Sequence, residues 1–186
     1  MACLRLAGWM LAGALFAPPL ARVPVPAQVA LLLKVLTADR NLPARSPGGL
    51  AIGIVYERNT AASREAASQA AAEIERENAA REGLPVMYGL VDVSDPAALA
   101  PGLAALHPSV LYVAPLAGLD VKRISALSRA GKIRTATGVP GFVEAGLAVG
   151  FEPGPDGVRI LINAEAARAE GADFSSKVLK LARLVP

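Results

Sequence analysis

Few side chains in this chain can do chemistry, and their spacing limits what that chemistry could be. His107 is the only histidine and Cys3 the only cysteine. A histidine-rich metal site therefore cannot form, and a Ser-His-Asp triad would have to combine His107 with neighbours such as Ser94, Asp92 and Asp95. His107 stands before Pro108, where a helix is expected to stop, and reads as a boundary residue. Ser94 and Asp95 precede Pro96, the order of a helix start with a capping side chain and proline in the first turn. Gly138-Val139-Pro140-Gly141 lacks the glycine spacing and following lysine of a phosphate loop, so it reads as a turn. The sequence assigns no catalytic residue, no metal ligands and no cofactor site.

The amino-terminal segment sets the expected compartment. Arg5 is followed by an apolar stretch over residues 6–17, too short to span the hydrocarbon of a bilayer, and then by Pro18, Pro19, Pro24 and Pro26. Ala27, with Val25 two residues before it, suits a signal peptidase, and Ala21 is a second candidate. The expectation is a signal peptide over 1–27 and an exported, periplasmic or secreted domain over 28–186. Cys3 would leave with the signal and lies too far forward to serve as a lipoprotein anchor.

Charge excludes one further class. Taking Arg5 and Arg22 from the 19 basic residues leaves 17 against 16 acidic ones, and the formal charge falls from +3 to +1. A nucleic-acid footprint needs basic residues gathered on one face. Here Arg58, Arg64, Arg76 and Arg81 alternate with Glu57, Glu65, Glu73, Glu75 and Glu77, as on a solvated helix face. No nucleic-acid partner is expected.

The elements that must position any site alternate. Residues 28–38 form an amphipathic helix ended by Asp39-Arg40-Asn41-Leu42-Pro43, and Leu50–Tyr56 reads as a buried strand. An alanine-rich helix over 61–80 carries a shallow stripe of Ala62, Ala66, Ala70 and Ile74, suited to close packing on a sheet. Strands follow at 86–91, 110–114 and 133–137, separated by helices. The last of these helices is capped by Asp120 and closed by Gly131. Leu147, Val149 and Phe151 alternate with polar or small residues, as do Val158, Ile160 and Ile162 across a Pro-Gly-rich turn, and a final helix is expected over 175–184. The architecture is α/β, a three-layer domain with a mostly parallel sheet, a C-terminal antiparallel hairpin and a closing helix. Leu31, Leu32 and Val35 of the first helix belong to its core or to a homodimer or partner surface.

Open α/β sheets bind ligands beyond the carboxyl ends of their strands. Those ends place Arg58, Asn59, Ser94, Thr137 and Gly138 as candidate ligand- or partner-binding residues, with Arg58 suited to a carboxylate and the others to neutral hydrogen bonds. Capping explains Asn59 and Ser94 equally well, and it accounts for Asn163, Ser175 and Ser176.

Val139-Pro140-Gly141-Phe142, Ala145-Gly146-Leu147, Ile162-Asn163 and Ser175-Ser176-Lys177-Val178-Leu179 follow one another with characteristic order and spacing over about fifty residues. In that respect the chain resembles the YfiR-like family of periplasmic signalling regulators, and Phe142 of the shared turn joins the candidate binding residues. Family members often carry paired cysteines and a tryptophan-proline after the first helix. Neither stands here, so disulfide-based redox control does not carry over. The resemblance implies a non-enzymatic regulator that binds the extracytoplasmic part of a membrane-bound signalling protein, such as a diguanylate cyclase of cyclic di-GMP signalling or a sensor kinase, with a small-molecule ligand as modulator. The alternative is a periplasmic solute-binding module of a transporter. Such proteins usually close two lobes on a cleft, and this chain has length for one.

Overall fold

The computed structural model describes residues 22–80, 85–155 and 157–186. Most of the expected signal segment, together with Arg81 and Asp156, lies outside the described residues. The elements run α1 (Val25–Leu36), α2 (Leu42–Arg45), β1 (Leu50–Tyr56), α3 (Ala61–Ala80), β2 (Val86–Asp92), a 3-10 turn (Pro96–Ala98) leading into α4 (Leu99–Leu106), β3 (Val110–Val113), α5 (Val121–Gly131) and β4 (Arg134–Thr137). They continue with α6 (Pro140–Glu144), β5 (Val149–Gly154), β6 (Gly157–Asn163), α7 (Ala164–Ala169), α8 (Ser176–Leu181) and β7 (Arg183–Val185).

One seven-stranded sheet has the order β2-β1-β3-β4-β5-β6-β7. Every neighbouring pair is parallel except the β5–β6 hairpin. The strand pleat sends alternate residues to opposite faces, and this creates the three layers. Ile52, Ile54, Val110 and Tyr112 face α1, α3 and α7, where Leu32, Leu33, Ala70, Ile74 and Ala166 meet them. Val55, Leu111 and Val113 face α4 and α5 and pack with Leu99, Leu103, Val121 and Ile124. The expected α/β architecture is the observed one.

Several local expectations change. The first helix begins at Val25 because Pro24 and Pro26 sit at its start, where a missing amide costs nothing, instead of breaking it. Leu32 and Val35 are 1% and 2% exposed and Leu31 packs against them, so this face is core and not a free partner surface. On α3 the buried face is centred on Ser63, Ala66, Ala67, Ala70, Glu73 and Ile74, which leaves Ala62 outside. Lys132, not Gly131, takes the left-handed position after α5, with φ +54°. The closing helix is also shorter than expected. It stops at Leu181, Ala182 turns extended, and β7 then pairs with β6 in the register Ile162↔Leu184. Val178, Leu179 and Ala182 therefore pack back on the core, while Leu181 and Leu184 are 70% and 56% exposed.

Asp39 and Arg134 hold the layers in register. Their side chains are 0% and 1% exposed, and Arg134 Nε donates to Asp39 Oδ2 at 2.8 Å. Asp39 Oδ1 accepts from the amides of Asn41 (3.0 Å) and Asp173 (2.9 Å), while Arg134 donates to the carbonyls of Lys132 and Gly171. The next residue of β4 fastens a second buried acid. Glu170 accepts from the amide of Thr135 (2.8 Å), its hydroxyl (2.7 Å) and the Ser128 hydroxyl (3.0 Å). Burial pushes the Glu170 carboxyl up to about 7, against the opposing pull of those hydrogen bonds and of Arg129.

Two outcomes follow for urea unfolding. Asp39→Ala leaves a buried guanidinium without its counter-charge and is expected to cost about 3–5 kcal/mol, with an unchanged m value; a loss below 1 kcal/mol would mean the pair is not buried as described. Glu170 holds its proton more tightly folded than unfolded. Its contribution is therefore fully present below the ordinary carboxylate range and is lost as pH rises to about 7. Stability should fall by about 3 kcal/mol over that window, and Glu170→Gln should flatten the profile; a wild-type profile that does not fall across it would refute the assignment.

Candidate ligand and partner site

The order β2-β1-β3 makes the gap between β1 and β3 the topological switch point, where chain connections leave in opposite directions and a crevice opens at the carboxyl ends. Glu57, the first residue after β1, lies at its floor and is 5% exposed. Its carboxylate accepts from the amides of Ala117 (2.8 Å), Gly118 (2.7 Å) and Leu119 (3.0 Å) and from Thr60 Oγ1 (3.0 Å). Its own amide donates to Ser63 Oγ at 2.9 Å. Burial would raise the Glu57 pKa, but the four hydrogen bonds outweigh it and hold the group below its ordinary range.

Beside it, Asp92 closes β2 and gathers Arg58 and Ser94. Asp92 Oδ1 accepts from the Arg58 amide (3.1 Å), the Ser94 amide (3.0 Å) and the Ser94 hydroxyl (2.7 Å), and Arg58 Nη2 lies 2.7 Å from Asp92 Oδ2. Burial pushes Asp92 up, and the bonds from Ser94 and Arg58 bring it below the usual value. The Arg58 side chain remains 71% exposed. Asn59 is exposed next to it, and Asn59, Thr60, Ser94, Pro96 and Ala117 border a crevice of about 370 Å³.

The structure brings Arg58, Asn59 and Ser94 together and separates them from the other three candidates. Thr137 is fully buried; its hydroxyl donates to the Val113 carbonyl (2.9 Å) and accepts from the Val139 amide (3.1 Å), so it shapes the turn after β4. Gly138 borders a different cavity, of about 240 Å³, between α1 and α3. A Cβ there would lie 2.1 Å from Gln28 Oε1, so glycine is what lets the Gln28 amide reach Tyr112 Oη at 2.7 Å. Phe142 packs against the α4–α5 core.

Sequence reasoning placed Glu57 and Glu73 on a solvated helix face, yet both are 5% exposed, and Glu57 precedes α3 altogether. The available signal was position: an acid directly ending an apolar strand stands where a sheet's crevice lies. Asp39 was read as part of a helix stop, and no local pattern announced its partner 95 residues away. Ser94 bonds Asp92, and the cap of the 3-10 turn is Asp95, which accepts from the Ala97 amide. Asp120 and Asn163 cap as expected, whereas Ser175 makes no side-chain cap bond.

His107 takes the left-handed conformation (φ +47°) that ends α4. It precedes β3, whereas Ser94 follows β2, and the two strands run parallel through β1. The two residues therefore lie at opposite ends of the sheet, and the geometry forbids a shared proton relay. Among the described residues no three histidine, cysteine, aspartate or glutamate side chains group to hold a metal ion, and no helix is long and apolar enough to cross a membrane.

The result is a doubly wound parallel sheet extended by an antiparallel hairpin, with a crevice at the carboxyl ends. The chain belongs to the YfiR/HmsC-like family, whose sequence profile matches residues 44–183. Among curated proteins none matches it in sequence. Its fold is similar to that of the ABC domain crystallised with L-Trp from Streptococcus pneumoniae (TM-score 0.63, 16% identity, 88% of this chain and 62% of that one). It is also similar to a conserved domain protein from Vibrio cholerae (TM-score 0.54, 18% identity, 88% and 60%). A third likeness is to a ligand-free, open substrate-binding protein with adhesive properties from Clostridium difficile (TM-score 0.56, 19% identity, 83% and 59%). The chain spans about three fifths of each of these structures.

Proposed function

We propose that this protein is an exported, non-enzymatic regulator that binds the extracytoplasmic part of a membrane signalling protein, a diguanylate cyclase or sensor kinase. Membership of the YfiR/HmsC-like family over residues 44–183 carries the reading. The carboxyl-end surface supports it, because its inner donors are used internally while the Arg58 side chain, paired with Asp92, is 71% exposed beside Asn59, a geometry suited to a protein acid or carbonyl. The second reading, a solute-binding module, draws on the fold it shares with a substrate-binding protein and on the cavity between α1 and α3.

Affinity capture with the exported domain on solubilised native membranes separates the two. Recovery of a cyclase or sensor kinase, reduced at least about tenfold by Arg58→Ala, is expected on the first reading; that loss corresponds to about 1.4 kcal/mol. The substitution removes an exposed ion pair and should leave stability within about 0.5 kcal/mol. Recovery of a permease instead would move the protein to solute capture.

We also propose that export removes residues 1–21. Cleavage after Ala27 would strip Val23, which is 4% exposed, and the Val23 carbonyl that accepts from Gln28 Nε2 at 2.6 Å. It would also remove the first three residues of α1. Amino-terminal sequencing of the exported protein is expected to begin at Arg22; a chain beginning at Gln28 would show that the domain tolerates the loss.

A further inference from the structure

Glu57 is a buried acid held without a cation. Among the described residues no lysine or arginine forms an ion pair with it. Three consecutive amides of residues 117–119 converge on its two oxygens instead, with Thr60 as a fourth donor. Successive backbone amides turned to one point form an anion-binding concavity. This one lies at the switch point, where sheets of this topology receive their ligands. Two observations therefore coincide: a nest of donors in the ligand position, and a carboxylate already seated in it.

We propose that residues 117–119 form an anion-binding nest whose resident ligand is the Glu57 side chain, and that a small external monocarboxylate enters only when that side chain is removed. The chain supplies its own ligand. Thr60, just before α3, donates to the Glu57 carboxylate, and Ser63, in the first turn of α3, accepts from the Glu57 backbone amide, so the two aim the side chain. A tethered carboxylate loses little freedom on seating, whereas a free one must give up translation and rotation, so the intramolecular ligand wins at ordinary solute concentrations. The inference stands apart from the signalling reading, since the nest is closed whichever partner the outer surface meets.

Thermal unfolding of Glu57→Ala tests it, with sodium formate compared against sodium pivalate at equal ionic strength. The two anions share charge and chemistry, but pivalate carries a tert-butyl group where the substitution vacates only a methylene and a carboxylate. Glu57→Ala is expected to melt below wild type and to recover with formate in a saturable way, but not with pivalate. Wild type and Glu57→Gln, in which a side chain still fills the nest, should show no preference between the salts. Should Glu57→Ala not fold alone, its refolding yield in the two salts reads the same preference. Equal effects of formate and pivalate on Glu57→Ala, or a formate preference of the same size in wild type, would overturn the proposal.

Discussion

The buried pair of Asp39 and Arg134 is the contact on which the arrangement of the chain depends. Two charges at 0% and 1% exposure are tolerable only if every polar atom finds a partner, and here the partners come from four places: the end of α1, the approach to α2, the start of β4 and the loop after α7. Desolvation of such a pair consumes most of its Coulomb attraction, so its contribution is less net stability than discrimination against alternatives. Any shift of α1 or of the loop after α7 would leave an ion bare. Strand β4 repeats the device one residue on, where Thr135 binds Glu170 and also accepts from the Ala148 amide at 2.8 Å. The parallel sheet is thereby tied to the C-terminal hairpin and its helices.

This joint also explains how α1 belongs to the domain. The family profile begins at residue 44, after α1 and after Asp39. Yet α1 contributes Val29, Leu32, Leu33 and Leu36 to the larger core, and Gln28 bridges the Val23 carbonyl to the Tyr112 hydroxyl. The helix is fixed at its far end by Asp39 and at its near end by Gln28. Between those points its apolar face has one orientation that buries it.

The parts of the fold legible in the sequence were those governed by local rules. Hydrophobic runs gave the parallel strands, the Pro-Gly turn gave the hairpin, and Asp95, Asp120 and Asn163 cap their helices because capping is a matter of two or three residues. The parts that were not legible depend on pairing across the chain. Leu184 lies in a strand and not in a helix because β6 offers an open edge, which nothing near Leu184 records. Glu170 and Asp39 look like ordinary surface acids until β4 is placed beside them. The candidate site was half legible: the strand ends located Arg58, Asn59 and Ser94, while Thr137 and Phe142 had structural duties that only packing could disclose.

The same distinction bears on what the carboxyl end of the sheet can do. A sheet with the order β2-β1-β3 offers a crevice at the β1–β3 boundary, and a solute with an acid group would be expected to use the amides there. In this chain Glu57 has taken those amides, and Asp92 has taken the Arg58 amide and the Ser94 hydroxyl. For Glu57 and Asp92 the donors outweigh burial and lower the pKa, so these contacts persist through the neutral range. What stays exposed at this end is the outer rim, with the Arg58 and Asn59 side chains. A rim of that kind fits the protein partner we propose, because a few exposed polar groups around a rigid platform set orientation. The interior chemistry of this end thus holds the platform still, and on the reading we propose recognition falls to the surface it supports.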